Sequence, residues 1–191
     1  SKQLMLKSEI AMSRFDANTL SRKDKSNDIG LAGRAELQYS NQLKKNTKKP
    51  LQYKLTGSYE YVQERFRPLE RLRPVEFTRE WGLPIFLQQE KEQILSGKFE
   101  LNRNDNHQFS YVVQNYQRGT AFKGIRQIVQ HSFEQKGWAW RGNFNYSSID
   151  SGNNKGFFLR PTIDVKKRFN KLDQIEIGGQ YYLEHNESRN K

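Results

Sequence analysis

The chain has 191 residues and a formal net charge of +12, with 34% hydrophobic, 28% charged and 13% aromatic residues. No run approaches the ~18 apolar residues a transmembrane helix needs, and 12 Phe, 9 Tyr and 3 Trp are too many for a disordered chain. The absence of cysteine excludes a disulfide scaffold, a thiolate zinc site and a cysteine nucleophile.

The first element is an irregular period-two run over residues 4–15. The stretch Asp24-Lys25-Ser26-Asn27-Asp28-Ile29-Gly30 has a faint likeness to a calcium loop, but it lacks the alternating carboxylates and the closing glutamate. From Ile29 the alternation is clean: Ile29, Leu31, Gly33, Ala35, Leu37 and Tyr39 against Gly30, Ala32, Arg34, Glu36, Gln38 and Ser40. Successive side chains on a strand point to opposite faces, so this pattern predicts a half-buried strand and not a helix. A lysine-rich turn follows, and Lys44, Lys45, Lys48 and Lys49 are candidate contacts to an anionic surface such as lipid headgroups or a polyanion. The next strand carries Leu51, Tyr53, Leu55, Gly57, Tyr59 and Tyr61 on its apolar side.

Between residues 63 and 93 the alternation stops. A tandem hexapeptide stands there, Arg65-Phe66-Arg67-Pro68-Leu69-Glu70 and Arg71-Leu72-Arg73-Pro74-Val75-Glu76, followed by Phe77, Arg79 and Trp81. Proline has no amide hydrogen and argues against a central strand. A loop of this length is uncommon unless it is functional or packed down. Its two readings are a structural clasp and a gate or docking loop, with Arg65, Arg67, Arg71, Arg73, Phe77, Arg79 and Trp81 as the residues that would act; arginines and glutamates three to five apart could pair within it.

Strand patterns resume at 95–101, 109–113, less regularly at 122–133, and at 138–146, 157–165 and 175–183. Their links are rich in Asn, Asp and Gly, as hairpins require: Asn102 to Asn106, Asp150 to Asn154, and Phe169 to Asp173. About nine strands of about 9–13 residues result, longer than the usual ~5–6 and close to the ~9–11 of a tilted membrane-spanning strand. The predicted fold is all-β: an antiparallel up-and-down meander, part of a β-barrel or a strongly curved sheet, in a single β domain over 1–191 with the 63–93 loop inserted. Ser1-Lys2-Gln3-Leu4 lacks the apolar core of a signal peptide, and a polar tail follows the last strand; both ends suggest a piece of a larger protein.

Five apolar-face glycines, Gly33, Gly57, Gly97, Gly142 and Gly179, precede apolar or aromatic residues at two and four positions on. Sharp curvature or close approach of a neighbouring side chain would explain them. The opposite face carries both signs of charge. This alternation fits a soluble sandwich with its charged face in water, a barrel with its apolar face in lipid, or an open sheet packed on another part of the protein. Strand length, the mixture of short turns and longer loops, and the scarcity of helix to cover an apolar face favour the barrel.

No chemistry stands out. His107, His131 and His185 lie far apart in sequence, and no nucleophile elbow, phosphate loop or dinucleotide fingerprint occurs. The acids Glu90/Glu92 and Glu60/Glu64 read as solvated charge. No cofactor, no metal and no enzymatic activity is expected. Nucleic acid is not expected as a partner, because the aromatics share a face from which most charges are excluded.

The phrase Arg73-Pro74-Val75-Glu76-Phe77-Thr78-Arg79-Glu80-Trp81-Gly82-Leu83-Pro84, with Gly97-Lys98-Phe99-Glu100-Leu101 and Tyr116-Gln117-Arg118-Gly119, resembles large outer-membrane and cell-surface β-sheet proteins of the Bacteroidota. That resemblance implies an envelope location and supplies no catalytic residues. The functional expectation is a non-enzymatic component of the outer membrane or cell surface. It would be a structural, transport or partner-docking element in contact with outer-membrane lipid, other envelope proteins or a glycan. The alternative is a soluble β module that binds a glycan, polyanion or protein through basic hairpin tips.

Overall fold

The computed structural model describes residues 3–15, 28–43, 50–83, 89–103, 106–152, 154–169 and 175–190. Its elements are β1 (Gln3–Arg14), β2 (Ile29–Leu43), β3 (Leu51–Val62), α1 (Val75–Glu80), β4 (Glu92–Asn102), β5 (His107–Arg118), β6 (Phe122–Gln135), β7 (Trp138–Asp150), β8 (Asn154–Phe169), β9 (Ile175–Tyr182) and β10 (His185–Asn190). Each strand pairs antiparallel with the next from β1 to β8. One edge is β1, and the other is formed by β9 and β10, both on β8. The sheet is open: an up-and-down antiparallel meander of nine strand positions that a curved sheet fits and that does not close into a barrel.

β9 and β10 are one strand interrupted. Thr162 pairs with Tyr182 and Leu159 with His185, so the register is continuous across the break. Leu183 donates its amide to the Pro161 carbonyl at 3.2 Å. Pro161 has no N–H to return, and the ladder lapses at Leu183 and Glu184. The hairpin between β6 and β7 turns on two residues, Lys136 (φ 51°) and Gly137 (φ 77°). Positive φ at both centres is the turn whose twist matches the flanking strands.

The register sorts the faces as the alternation predicts. Trp138, Trp140, Phe144 and Tyr146 share a side with Phe133, Val129, Val165 and Leu159, and Arg141 lies on the other side opposite Asp164. Gly57 and Gly97 face each other across β3 and β4. Close approach of a neighbour does not explain the glycine series, because a Cβ at Gly57 or Gly179 would meet open space and one at Gly33 only ordinary contact.

The small core lies on the charged side. Trp81, Tyr116 and Phe122 form it, with Phe77, Leu83, Ile94 and Ile149 packed against them. Among the described residues nothing covers the apolar side: Leu6, Leu37, Leu55, Leu95, Phe144, Ile163 and Ile177 are all exposed, and Ile10 reaches 87%.

Candidate functional site

Residues 63–83 cross the polar face as a strap. Gln63 extends the β2–β3 pairing, donating its amide to the Leu31 carbonyl at 2.9 Å and accepting the Leu31 amide on Oε1 at 3.1 Å. The chain then presses onto Gly30, where a Cβ would stand 2.2 Å from the Phe66 nitrogen, so only glycine admits this crossing. Phe66 is buried, and the Arg67 amide donates to Ser13 Oγ at 2.8 Å. Pro74, with φ −64°, caps α1 at the position where a missing N–H costs nothing.

α1 delivers Trp81 into a socket built from one hydrogen-bonded row: Ile94 on β4, Tyr116 on β5, Gly124 on β6 and Ile149 on β7. Trp81 is 1% exposed, with its ring centroid 5.2 Å from that of Tyr116. Gly124 makes the hole, since a Cβ there would lie 2.7 Å from Trp81 Cζ3. Gly82, at φ 60°, ends the helix against Phe158.

Ion pairs fasten the strap around this plug. Arg73 Nη1 lies 2.6 Å from Glu60 Oε1, and its Nη2 donates to Glu92 Oε2 at 3.0 Å. Glu92 also faces buried Arg118 at 3.6 Å, and Arg118 reaches Glu90 at 3.3 Å. Buried Arg126 grips Glu80 with two guanidinium nitrogens, one of them at 2.8 Å, and donates from Nε to Asn145 at 3.2 Å. Arg73 also stands over the Phe77 ring, 5.0 Å from its centroid.

The predicted site residues therefore divide. Arg73, Phe77 and Trp81 form one packed unit with the sheet. Arg67 is half-buried, anchored through its amide, over the Phe15 ring and on the Glu64 carbonyl. Arg65, Arg71 and Arg79 are exposed and take no ion pair among the described residues. The expected pairing within the hexapeptides does not form for Arg73, whose partners are glutamates of the sheet. Glu60, Glu90 and Glu92 are not simply solvated acids; each neutralises an arginine. Lys44, Lys45, Lys48 and Lys49 lie outside the described residues.

Sequence reasoning missed the socket: Ile94, Tyr116, Phe122, Gly124, Arg126 and Ile149. A signal was available, because Ile94, Tyr116, Phe122 and Ile149 are apolar residues out of phase on the polar face. They also explain the irregularity of the 122–133 run, since at the start of β6 Phe122, Gly124 and Arg126 are buried on the polar face while Lys123 and Ile125 on the other face stay exposed. The histidines are a second correction. His107 Nε2 and His131 Nε2 approach to 2.9 Å across β5 and β6, while His185 stacks near Phe157. Among the described residues no group of three or more His, Asp or Glu could hold a metal ion.

The bare face has a direction. On β1 the apolar run Leu4, Leu6, Ile10, Met12 centres on Ser8, whose row passes through Ala35, Tyr59, Leu95, Asn115, Ile125, Ser148 and Phe157 to Glu187. From β9 into its break the run Ile175, Ile177, Tyr181 and Leu183 centres instead on Gly179. The band has moved eight residues, from Glu187 to Gly179, over eight strand steps. At ~3.3 Å per residue and ~4.8 Å between strands, one residue per step is a slope of about 35°. Tyr39, Tyr53 and Trp138 lie toward one border of this band, and Tyr61 and Tyr146 toward the other.

Compared with known proteins, the chain matches no family model, no curated protein and no solved structure.

Proposed function

We propose that the chain forms part of the wall of an outer-membrane β-barrel: its apolar band faces lipid, its charged side faces a lumen, and residues 63–83 lie in that lumen as a gating or docking strap. The observation that carries this reading is which face is covered. A soluble β protein buries its apolar side, and a soluble monomer rarely leaves a contiguous apolar patch beyond about 300–600 Å². Here the helix and strap pack on the charged side, and among the described residues the apolar side is left bare across almost the whole sheet. In a transmembrane barrel that is the expected polarity.

The slope of the band supports the same reading. Barrel strands tilt by about 35–45° from the axis, so a level lipid layer cuts their hydrogen-bonded rows obliquely. Tyr and Trp near the borders suit the two lipid–water interfaces. The part played is non-enzymatic: a structural or transport element of the cell envelope, at the outer membrane or cell surface, as the Bacteroidota resemblance implies.

Membrane fractionation tests it. The chain should sediment with membranes, resist carbonate extraction, enter detergent, and migrate differently on gels with and without boiling. A chain that stays folded in the aqueous fraction overturns the proposal in favour of a soluble binding module.

A further inference from the structure

The strap occupies only one end of the polar face. Toward the other end, on the same face of β4 to β9, lies an open cleft of about 510 Å³. Its floor is built from two neighbouring rows. One includes Gln108, Ser132 and Gln180, and the other includes Gln130, Asn143 and Thr162.

The chemistry of the two ends differs sharply. At the strap end, Glu60, Glu80, Glu90 and Glu92 are consumed by arginines. In the cleft, Ser110 donates to Gln130 at 3.2 Å, and the side chains of Gln108, Ser132, Asn143, Thr162 and Gln180 take no hydrogen bond from the described residues. Asn143 Oδ1 is closed off from solvent and takes no partner among the described residues, so what half-buried Asn143 offers the cleft is its amide nitrogen. The charges at the cleft cancel: Lys98 and Glu100 pair at 2.7 Å, and Arg141 stands opposite Asp164 in the register.

From this geometry we infer that the cleft binds a neutral, polyhydroxylated ligand, a short oligosaccharide. Amides and hydroxyls offer donors and acceptors in alternation, as sugar hydroxyls do, and the absence of net charge gives no advantage to a polyanion. Strands ~4.8 Å apart repeat that offer at a spacing near the length of one pyranose unit. Among the described residues no aromatic side chain of this face lines the cleft itself, and exposed Tyr182, next to Thr162 in the same row, stands at its border hydrogen-bonded to Glu184, so affinity is weak. That suits a path a solute must both enter and leave. The inference rests on the barrel reading only in naming this face a lumen.

The test uses the full chain, folded in micelles of a detergent without a sugar headgroup, and saturation-transfer NMR with maltose and cellobiose. Transfer to both is expected, and glucuronate should compete at least ~10-fold less well. Gln130→Leu/Asn143→Leu should weaken the transfer at least ~10-fold, the loss of about two hydrogen bonds. Asn143→Ala provides a milder variant should the double one misfold. No transfer from either disaccharide, equal competition by glucuronate, or full transfer in the folded variants would each overturn the inference. Failure here with membrane retention intact sinks the cleft alone; transfer by a chain that fractionates as soluble sinks the barrel reading alone.

Discussion

Leu37 is the position where lipid and water make opposite demands. It lies on β2 between Leu6 and Gly57, near the midline of the apolar band, and is 50% exposed. In a soluble sheet a half-exposed Leu→Arg change at such a site stays within about ±0.5 kcal/mol, because the guanidinium remains in water. Near the middle of a bilayer the same change costs about 2–4 kcal/mol. That difference is about 30- to 1000-fold in the ratio of folded to unfolded protein. The control is Ser58→Arg, on the polar face of the adjoining strand opposite Glu36, where an added cation should stay within about 0.5 kcal/mol. Urea titration of the chain in phospholipid vesicles, followed by tryptophan fluorescence, gives both numbers. If Leu37→Arg costs no more than Ser58→Arg, lipid does not cover this face.

The strap makes two further predictions. Gly124→Leu fills the socket with the bulk that Trp81 occupies and should expel the strap, while Trp81→Ala should cost about 3–5 kcal/mol of strap docking; amide exchange across residues 75–83 reads both, and protection unchanged in either variant removes the plug. Arg73→Ala strips the shared cation from Glu60 and Glu92 and should raise cleavage at Glu76 by a glutamate-specific protease, whereas Arg71→Ala, at an exposed site without an ion pair, should leave it unchanged; equal cleavage in the two variants contradicts an ordered, ion-paired strap.

Much of the fold was legible because period-two alternation is local. Ile29 to Tyr39 and Leu51 to Tyr61 declare their two faces without reference to any other strand, and short Asn-, Asp- and Gly-rich links leave neighbours little choice but to pair antiparallel. The strap was legible as an interruption, through its prolines and its length. Its anchors were not. Arg73 has Glu70 and Glu76 within three residues but pairs with Glu60 and Glu92, since hairpin register carries those two onto the path of the strap. His107 and His131, 24 residues apart, meet for the same reason.

By itself, the order of residues determined that long ribbons with one greasy and one ionic side would lie next to each other, because a strand's side-chain direction depends only on its own backbone. Only the tertiary structure decided which side the strap would cover and how the greasy band would slope. Coverage depends on the Gly124 hole lining up between Tyr116 and Ile149, and slope on the register summed over every hairpin; both are properties of many strands at once, and no single stretch of sequence contains them.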